Sequence, residues 1–140
     1  MIKARVISGG KVEGEVLLTR DAISFLGSVD PASGTIIETG HELFGRKISG
    51  RVLVFPHGKG STVGSYVIYQ LKKRGLAPLG MINQNSEPIV ALGAIISEIP
   101  LLDRPSIDLF EVLKDGDRVI LDGNRGVIEI VDQRSQVHRS

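Results

Sequence analysis

One junction constrains this chain more than any other. The apolar run R51-V-L-V-F55 passes through P56-H-G-K-G-S-T-V-G-S65 into a segment with helical spacing. A continuous apolar run of this length reads as a strand buried on both faces. Val63, Val67, Ile68 and Leu71 then fall at i, i+4, i+5 and i+8, one apolar stripe of a helix over about Ser61 to Arg74. Ser61 or Thr62 is placed to act as its N-cap, and Gly75 stands where a C′ glycine belongs. A strand turning directly into a helix at a glycine-rich bend puts the chain in the α/β class.

The remaining segments read around that unit. I2-K-A-R-V-I7 and E15-V-L-L18 are short β-prone runs separated by a segment that opens with the turn-forming S8-G-G-K11. S24-F-L-G-S-V-D-P-A-S-G34 has loop composition, and T35-I-I-E-T39 follows as a further β-prone stretch. A short strand is expected over 78–83. A second helix follows, with Ser86 as cap, Glu87 and Pro88 in the first turn, and an all-apolar body I89-V-A-L-G-A-I-I96. That composition describes a buried helix. Another strand is expected over 99–102. The tail ends in a hairpin, with arms at 119–121 and 127–130 and D122-G-N-R-G126 as the turn. The sum is a β-rich core with two helices, a single domain over residues 1–131, and a flexible C-terminal tail over 132–140.

Composition removes several functions. The 140 residues suffice for one domain with a core, and 41% hydrophobic and 24% charged content are those of a globular protein. Seventeen basic against 16 acidic residues leave no electrostatic footprint for nucleic acid or an anionic membrane. Aromatic content of 4% without Trp provides few stacking platforms. The basic cluster Lys72-Lys73-Arg74 reads as cations meeting the C-terminal end of a helix dipole. With no cysteine, disulfides, thiolate metal sites and iron–sulfur ligation by this chain's own cysteines are excluded. His41, His57 and His138 are too widely spread to suggest a metal site. No apolar run spans a membrane and M1-I-K-A-R-V6 lacks a signal-peptide core, so a cytoplasmic location is expected.

The glycine–serine bend carries the functional signal. Gly58, Gly60 and Gly64 let a backbone approach a ligand closely, and N–H groups near Ser61, Thr62 and Val63 favour an anion at the helix start. Lys59 adds a point charge suited to phosphate or carboxylate. Ser61 reads as a simple cap or as a hydroxyl polarised toward its ionised form. The P-loop pattern fails because Gly60, not Ser or Thr, follows Lys59, and the dinucleotide pattern lacks its acidic residue. No Ser–His–Asp order is identifiable, and His57 is as much a strand-end residue as a base.

G58-K-G-S-T-V-G-S65, S24-F-x-G-x-V-D-P-x-x-G34 and E87-P-I-V-A-L-G-A-I-I96 together resemble the small subunits of the aconitase X family. More narrowly, they resemble its archaeal phosphomevalonate dehydratase branch. The likeness covers about residues 1–131. It implies a swivelling β/β/α domain that docks on a separate large subunit holding an iron–sulfur cluster of the 4Fe–4S type. It implies dehydration of (R)-5-phosphomevalonate to trans-anhydromevalonate 5-phosphate, in an archaeal mevalonate route to isoprenoids. The family's proton-accepting serine maps onto Ser61, and Lys59, Gly60, Thr62 and Ser65 become candidates for binding a small phosphorylated hydroxy acid. No metal ligand is expected on this chain. Leu26 and Ser28 stand where the pattern has an aromatic residue and a glycine, which weakens a direct substrate role for that loop. Asp30 reads as a turn cap or as a group facing a shared site.

Three other readings remain open at this level. A small subunit acting on cis-3-hydroxyproline would carry similar motifs. A phosphoryl-carrying swivel domain is suggested by K114-D-G-D-R-V-I-L-D-G-N-R-G-V127, although no histidine stands just inside the helix. A non-catalytic subunit would use Ser61 only as a cap.

Overall fold

The computed structural model describes residues 1–133. Its strands are β1 (Ile2–Lys3), β2 (Arg5–Ser8), β3 (Lys11–Leu18), β4 (Val52–Phe55), β5 (Gly80–Asn83), β6 (Leu101–Asp103), β7 (Arg118–Asp122) and β8 (Val127–Asp132). They form one sheet in the order β1-β8-β7-β3-β4-β5-β6-β2. Only Ala4 separates β1 from β2, yet those two lie at opposite ends of the order. One residue spans roughly 3.5 Å, so the sheet has to curl until its edges meet, giving a nearly closed barrel.

Strands β3 to β6 run parallel to one another, and parallel neighbours need crossover connections. Helix α2 (Gly64–Lys73) carries the chain from β4 to β5, and α3 (Pro88–Ser97) carries it from β5 to β6. The two helices pack on each other and on one face of the sheet. The short α4 (Leu109–Val112) covers the other face.

Strand β4 shows why the fold needs both covers. Leu53 and Phe55 enter the core beneath α2 and α3, with Ile68, Leu71, Met81 and Val90. Val52 and Val54 enter the opposite core, with Ile82, Leu102, Leu109 and Leu121. All four β4 residues are buried, as the unbroken apolar run predicts. Each such side chain contributes about 1.5–3 kcal/mol on burial, so this strand pins the centre of the sheet.

The C-terminal hairpin forms as expected: Asp122 Oδ1 accepts the N–H groups of Asn124 and Arg125 within its turn. Helix α2 ends in a Schellman motif. Gly75 has φ of 71°, its N–H donates to Lys72 O, and Leu76 N–H donates to Leu71 O.

The structure differs from the sequence reading in several places. Strand β3 begins at Lys11 because residues 11–15 pair with β7, a partner about a hundred residues away. The 35–39 stretch forms only isolated bridges, Val29 to Ile36 and Thr35 to Lys47. Among the described residues, besides the two ten-residue helices, there are two four-residue ones, α4 and α1 (Phe25–Ser28), the latter broken by non-helical Leu26 and Gly27. Ser86 does not cap α3, because its hydroxyl donates to Asp103; Glu87 caps it instead. Asp132 closes β8 opposite Arg118, and the rest of the expected tail, from residue 134, lies outside the described residues.

Candidate functional site

The carboxyl end of β4 leads into the site. Pro56 O accepts from Gln84 N and Asn85 N, which ties the start of the loop to the end of β5. The next residues run beside the segment after β3: Ile23 N–H donates to His57 O at 3.2 Å and Lys59 N–H donates to Ile23 O at 3.0 Å. Exposed His57 donates from Nδ1 to Gly58 O at 2.7 Å.

Two of the glycines are required by what surrounds them. A Cβ on Gly58 would stand 2.5 Å from Glu87 Oε1 and 2.5 Å from Val90 Cγ2. Gly60 has φ of 89°, a conformation that L side chains rarely adopt, and its Cβ would stand 2.3 Å from Ser24 Oγ. The loop is therefore clamped between Glu87 on one side and Ser24 on the other.

Ser61 follows at the exposed crest of this loop. Its Oγ accepts the N–H of Val63 at 3.2 Å, and its carbonyl accepts the N–H of Gly64 at 2.9 Å. Thr62 and Lys59 are exposed beside it. The backbone N–H groups of Gly60, Ser61 and Thr62 donate to no acceptor among the described residues, and the Lys59 ammonium makes no ion pair or hydrogen bond among them. Three consecutive N–H groups without an acceptor among the described residues, ahead of a helix start and next to an unpaired cation, are donors available to an anion.

The neighbouring helix provides a contrast. At the start of α3 the Glu87 carboxylate accepts Ile89 N–H and Val90 N–H, both at 2.8 Å, so an anionic group of the protein already fills that position. Buried Asp103 holds the preceding residue. It accepts both Ser86 N–H at 2.9 Å and Ser86 Oγ–H at 2.7 Å, and it takes a bidentate pair of bonds from Arg5 at 2.8 Å each. Burial pushes the Asp103 carboxyl up, but the hydrogen bonds from Arg5 and Ser86 outweigh it and hold the group below the usual carboxylate range. Of the two ten-residue helices, α2 is the one whose start no carboxylate among the described residues fills.

Lys59, Gly60, Ser61 and Thr62 are thus brought together at one exposed turn. Ser65 is not among them. It is buried, and its hydroxyl donates to Ile89 O at 2.6 Å, joining α2 to the first turn of α3. Asp30 caps its own turn, accepting from Ala32 N–H and Ser33 Oγ–H, and these bonds lower its carboxyl. Sequence reasoning missed Ser24 and Glu87 as the walls of the loop. The glycines at 58 and 60 were the available signal, since each marks a close approach whose partner lies far along the chain.

Among the described residues, no group of three or more His, Cys, Asp or Glu side chains could hold a metal ion. No helix among them is long and apolar enough to cross a membrane.

Residues 1–130 match the model of the aconitase X swivel domain. A protein of Methanosarcina mazei called phosphomevalonate dehydratase small subunit is 62% identical over 131 residues, covering 94% of this chain and 91% of its own. Its namesake in Methanococcoides burtonii is 58% identical, covering 94% of this chain and 96% of that one. The crystal structure of Thermococcus kodakaraensis aconitase X in its holo-form superposes with a TM-score of 0.89 at 50% identity, covering 94% of this chain and 98% of that one. On the family match, the sequence identity and the shared architecture, this chain belongs to the aconitase X swivel domain family.

Proposed function

We propose that this chain is the small subunit of a heteromeric hydro-lyase that dehydrates (R)-5-phosphomevalonate to trans-anhydromevalonate 5-phosphate, with Ser61 as the proton acceptor. The observation that carries the reading is the exposed Ser61 hydroxyl beside three consecutive N–H groups with no acceptor of their own. The relatives from Methanosarcina mazei and Methanococcoides burtonii are each called phosphomevalonate dehydratase small subunit, which supports this substrate over cis-3-hydroxyproline. They also support a large-subunit partner.

A neutral serine is a poor base, so its surroundings have to favour the alkoxide. Val63 N–H donating to Oγ does so, and so do the positive end of α2 and the unpaired Lys59 ammonium. In that state Ser61 takes a proton from the carbon next to the one that loses its hydroxyl. The C–H electron pair becomes the C=C bond as hydroxide departs, and transfer of the proton from Ser61 to that hydroxide releases water and restores the alkoxide. The N–H groups of Gly60 and Thr62, with Lys59, hold an anionic group of the substrate. Ser65 supports the loop from behind through Ile89.

The family resemblance implies an iron–sulfur cluster, and the donors of this chain do not fit one: cysteine is absent, and the described acids and histidines do not gather. We assign the cluster to the large subunit, where it would supply Lewis acidity. The cytoplasm is the compartment we assign to the complex.

The test is reconstitution. The assembled heteromer, with its cluster loaded, is expected to convert (R)-5-phosphomevalonate, while this chain alone does not. A fully assembled, loaded complex that leaves (R)-5-phosphomevalonate untouched refutes the assignment.

A further inference from the structure

The sequence of α3 describes a helix buried all round, but the isolated chain buries only part of it. Val90, Gly93, Ala94 and Ser97 turn inward. Leu92, Ile95 and Ile96 are 53%, 53% and 46% exposed, and Pro88 is exposed above them. Positions 88, 92, 95 and 96 share one side of a helix. No charged or polar side chain interrupts this side. Single exposed leucines are ordinary, whereas a contiguous apolar stripe marks a surface that is covered in the working assembly.

We infer that this stripe is a docking surface for the large subunit, an apolar face of a different chain rather than a second copy of this one. The inference rests on the reading that a separate subunit completes the Ser61 site. Continuity with that site carries the choice of occupant. Pro88 directly follows Glu87, the wall against Gly58, and a Cβ on Gly64 would touch Ile89 Cγ2 at 3.0 Å. On the other side of the loop, exposed Val63 (49%) and Leu26 (44%) extend the apolar border, with the Leu26 N–H group 3.7 Å from the same Cβ position. A chain that closes over Ser61 therefore meets the first turns of both helices and continues onto Leu92 and Ile95. A second copy seated there would crowd the same border and obstruct the approach to Ser61.

The experiment measures association of the full chain with purified, cluster-loaded large subunit, by calorimetry or sedimentation and without any turnover readout. The double variant Leu92→Glu/Ile95→Glu is expected to bind about 100-fold more weakly, the loss typical of charging an apolar interface centre. Val131→Glu, at an exposed apolar position on β8, is expected to bind like wild type. Wild-type affinity in the double variant overturns the proposal. Hydroxyl-radical footprinting of the wild-type complex gives a second answer that does not depend on the variant folding. Labelling of Leu92, Ile95 and Ile96 falls when the large subunit is added if the stripe docks, and is unchanged if it does not. Self-association of this chain through the stripe, persisting within the heteromer, also overturns it. An assembled complex without dehydratase activity counts against the proposed function, and the affinities still decide the docking face.

Discussion

Replacing Gly58 by alanine tests whether the site is built by close approach. The new Cβ would lie 2.5 Å from both Glu87 Oε1 and Val90 Cγ2, well inside the 3.5–4.0 Å of a comfortable contact between carbon atoms. Neither neighbour can retreat freely. Val90 is fully buried in the core under α3, and the Glu87 carboxylate is held by two backbone N–H groups. Overpacking of this kind costs about 1–3 kcal/mol, and displacing the Glu87 cap adds about 1 kcal/mol. The sum of about 2–4 kcal/mol corresponds to a fall in Tm of roughly 6–15 °C for a chain of this size. If the loop moves instead, Ser61 shifts relative to its substrate, and a displacement of about 1 Å costs on the order of 100-fold in rate. Thermal unfolding of the variant and turnover of its reconstituted complex read the two routes separately. Gly27→Ala is the contrast: unlike Gly58, Gly27 has a positive φ, 100°, and nothing lies within 4 Å of its Cβ, so it carries a backbone cost alone where Gly58→Ala carries the contact cost alone. Wild-type Tm and wild-type turnover in Gly58→Ala would refute the reasoning.

Other perturbations separate binding from support. Lys59→Ala is expected to raise KM about ten-fold or more with a smaller effect on kcat, and the wild-type KM should rise with salt as the exposed ammonium is screened. Ser65→Ala should lower stability by about 1 kcal/mol through its lost bond to Ile89 O, while turnover per folded complex stays near wild type. Asp103→Asn should destabilise by about 1–3 kcal/mol, since Arg5 and Ser86 lose a charged acceptor. The pH dependence follows from the direction of the Asp103 shift. Its folded carboxyl lies below the ordinary value, so its contribution is complete above about pH 4 and is lost as the pH falls further. Acid unfolding followed by circular dichroism should show that loss in wild type and a smaller one in Asp103→Asn.

Much of the fold was legible because local signals agreed. Residues 52–55 are all apolar, the α2 stripe repeats at helical spacing, Gly75 ends that helix with positive φ, and Asp122 organises its own turn. What escaped was non-local. The two-residue β1 carries almost no pattern, and its pairing with β8 is decided by closure of the sheet. Ser86 has the composition of a cap, but buried Asp103 claims its hydroxyl, leaving the cap to Glu87. The apolar body of α3 says that the helix is buried without saying by what. Within the site, the crowd of hydroxyls at 61–65 did not reveal that Ser65 turns inward while Ser61 stays at the surface. That division depends on α3, which approaches from a later part of the chain.

The central claim is that Ser61 accepts the proton, and one comparison reaches it directly: steady-state dehydration of (R)-5-phosphomevalonate by the reconstituted complex with Ser61 or with Ser61→Ala. Removing the hydroxyl takes away a single exposed bond to Val63 N–H, so assembly and Tm should be retained. The account predicts that kcat falls by about 10²–10⁴-fold, the usual contribution of a positioned base. Near-wild-type turnover in the fully assembled Ser61→Ala complex would contradict it and reduce Ser61 to a residue that shapes the start of α2.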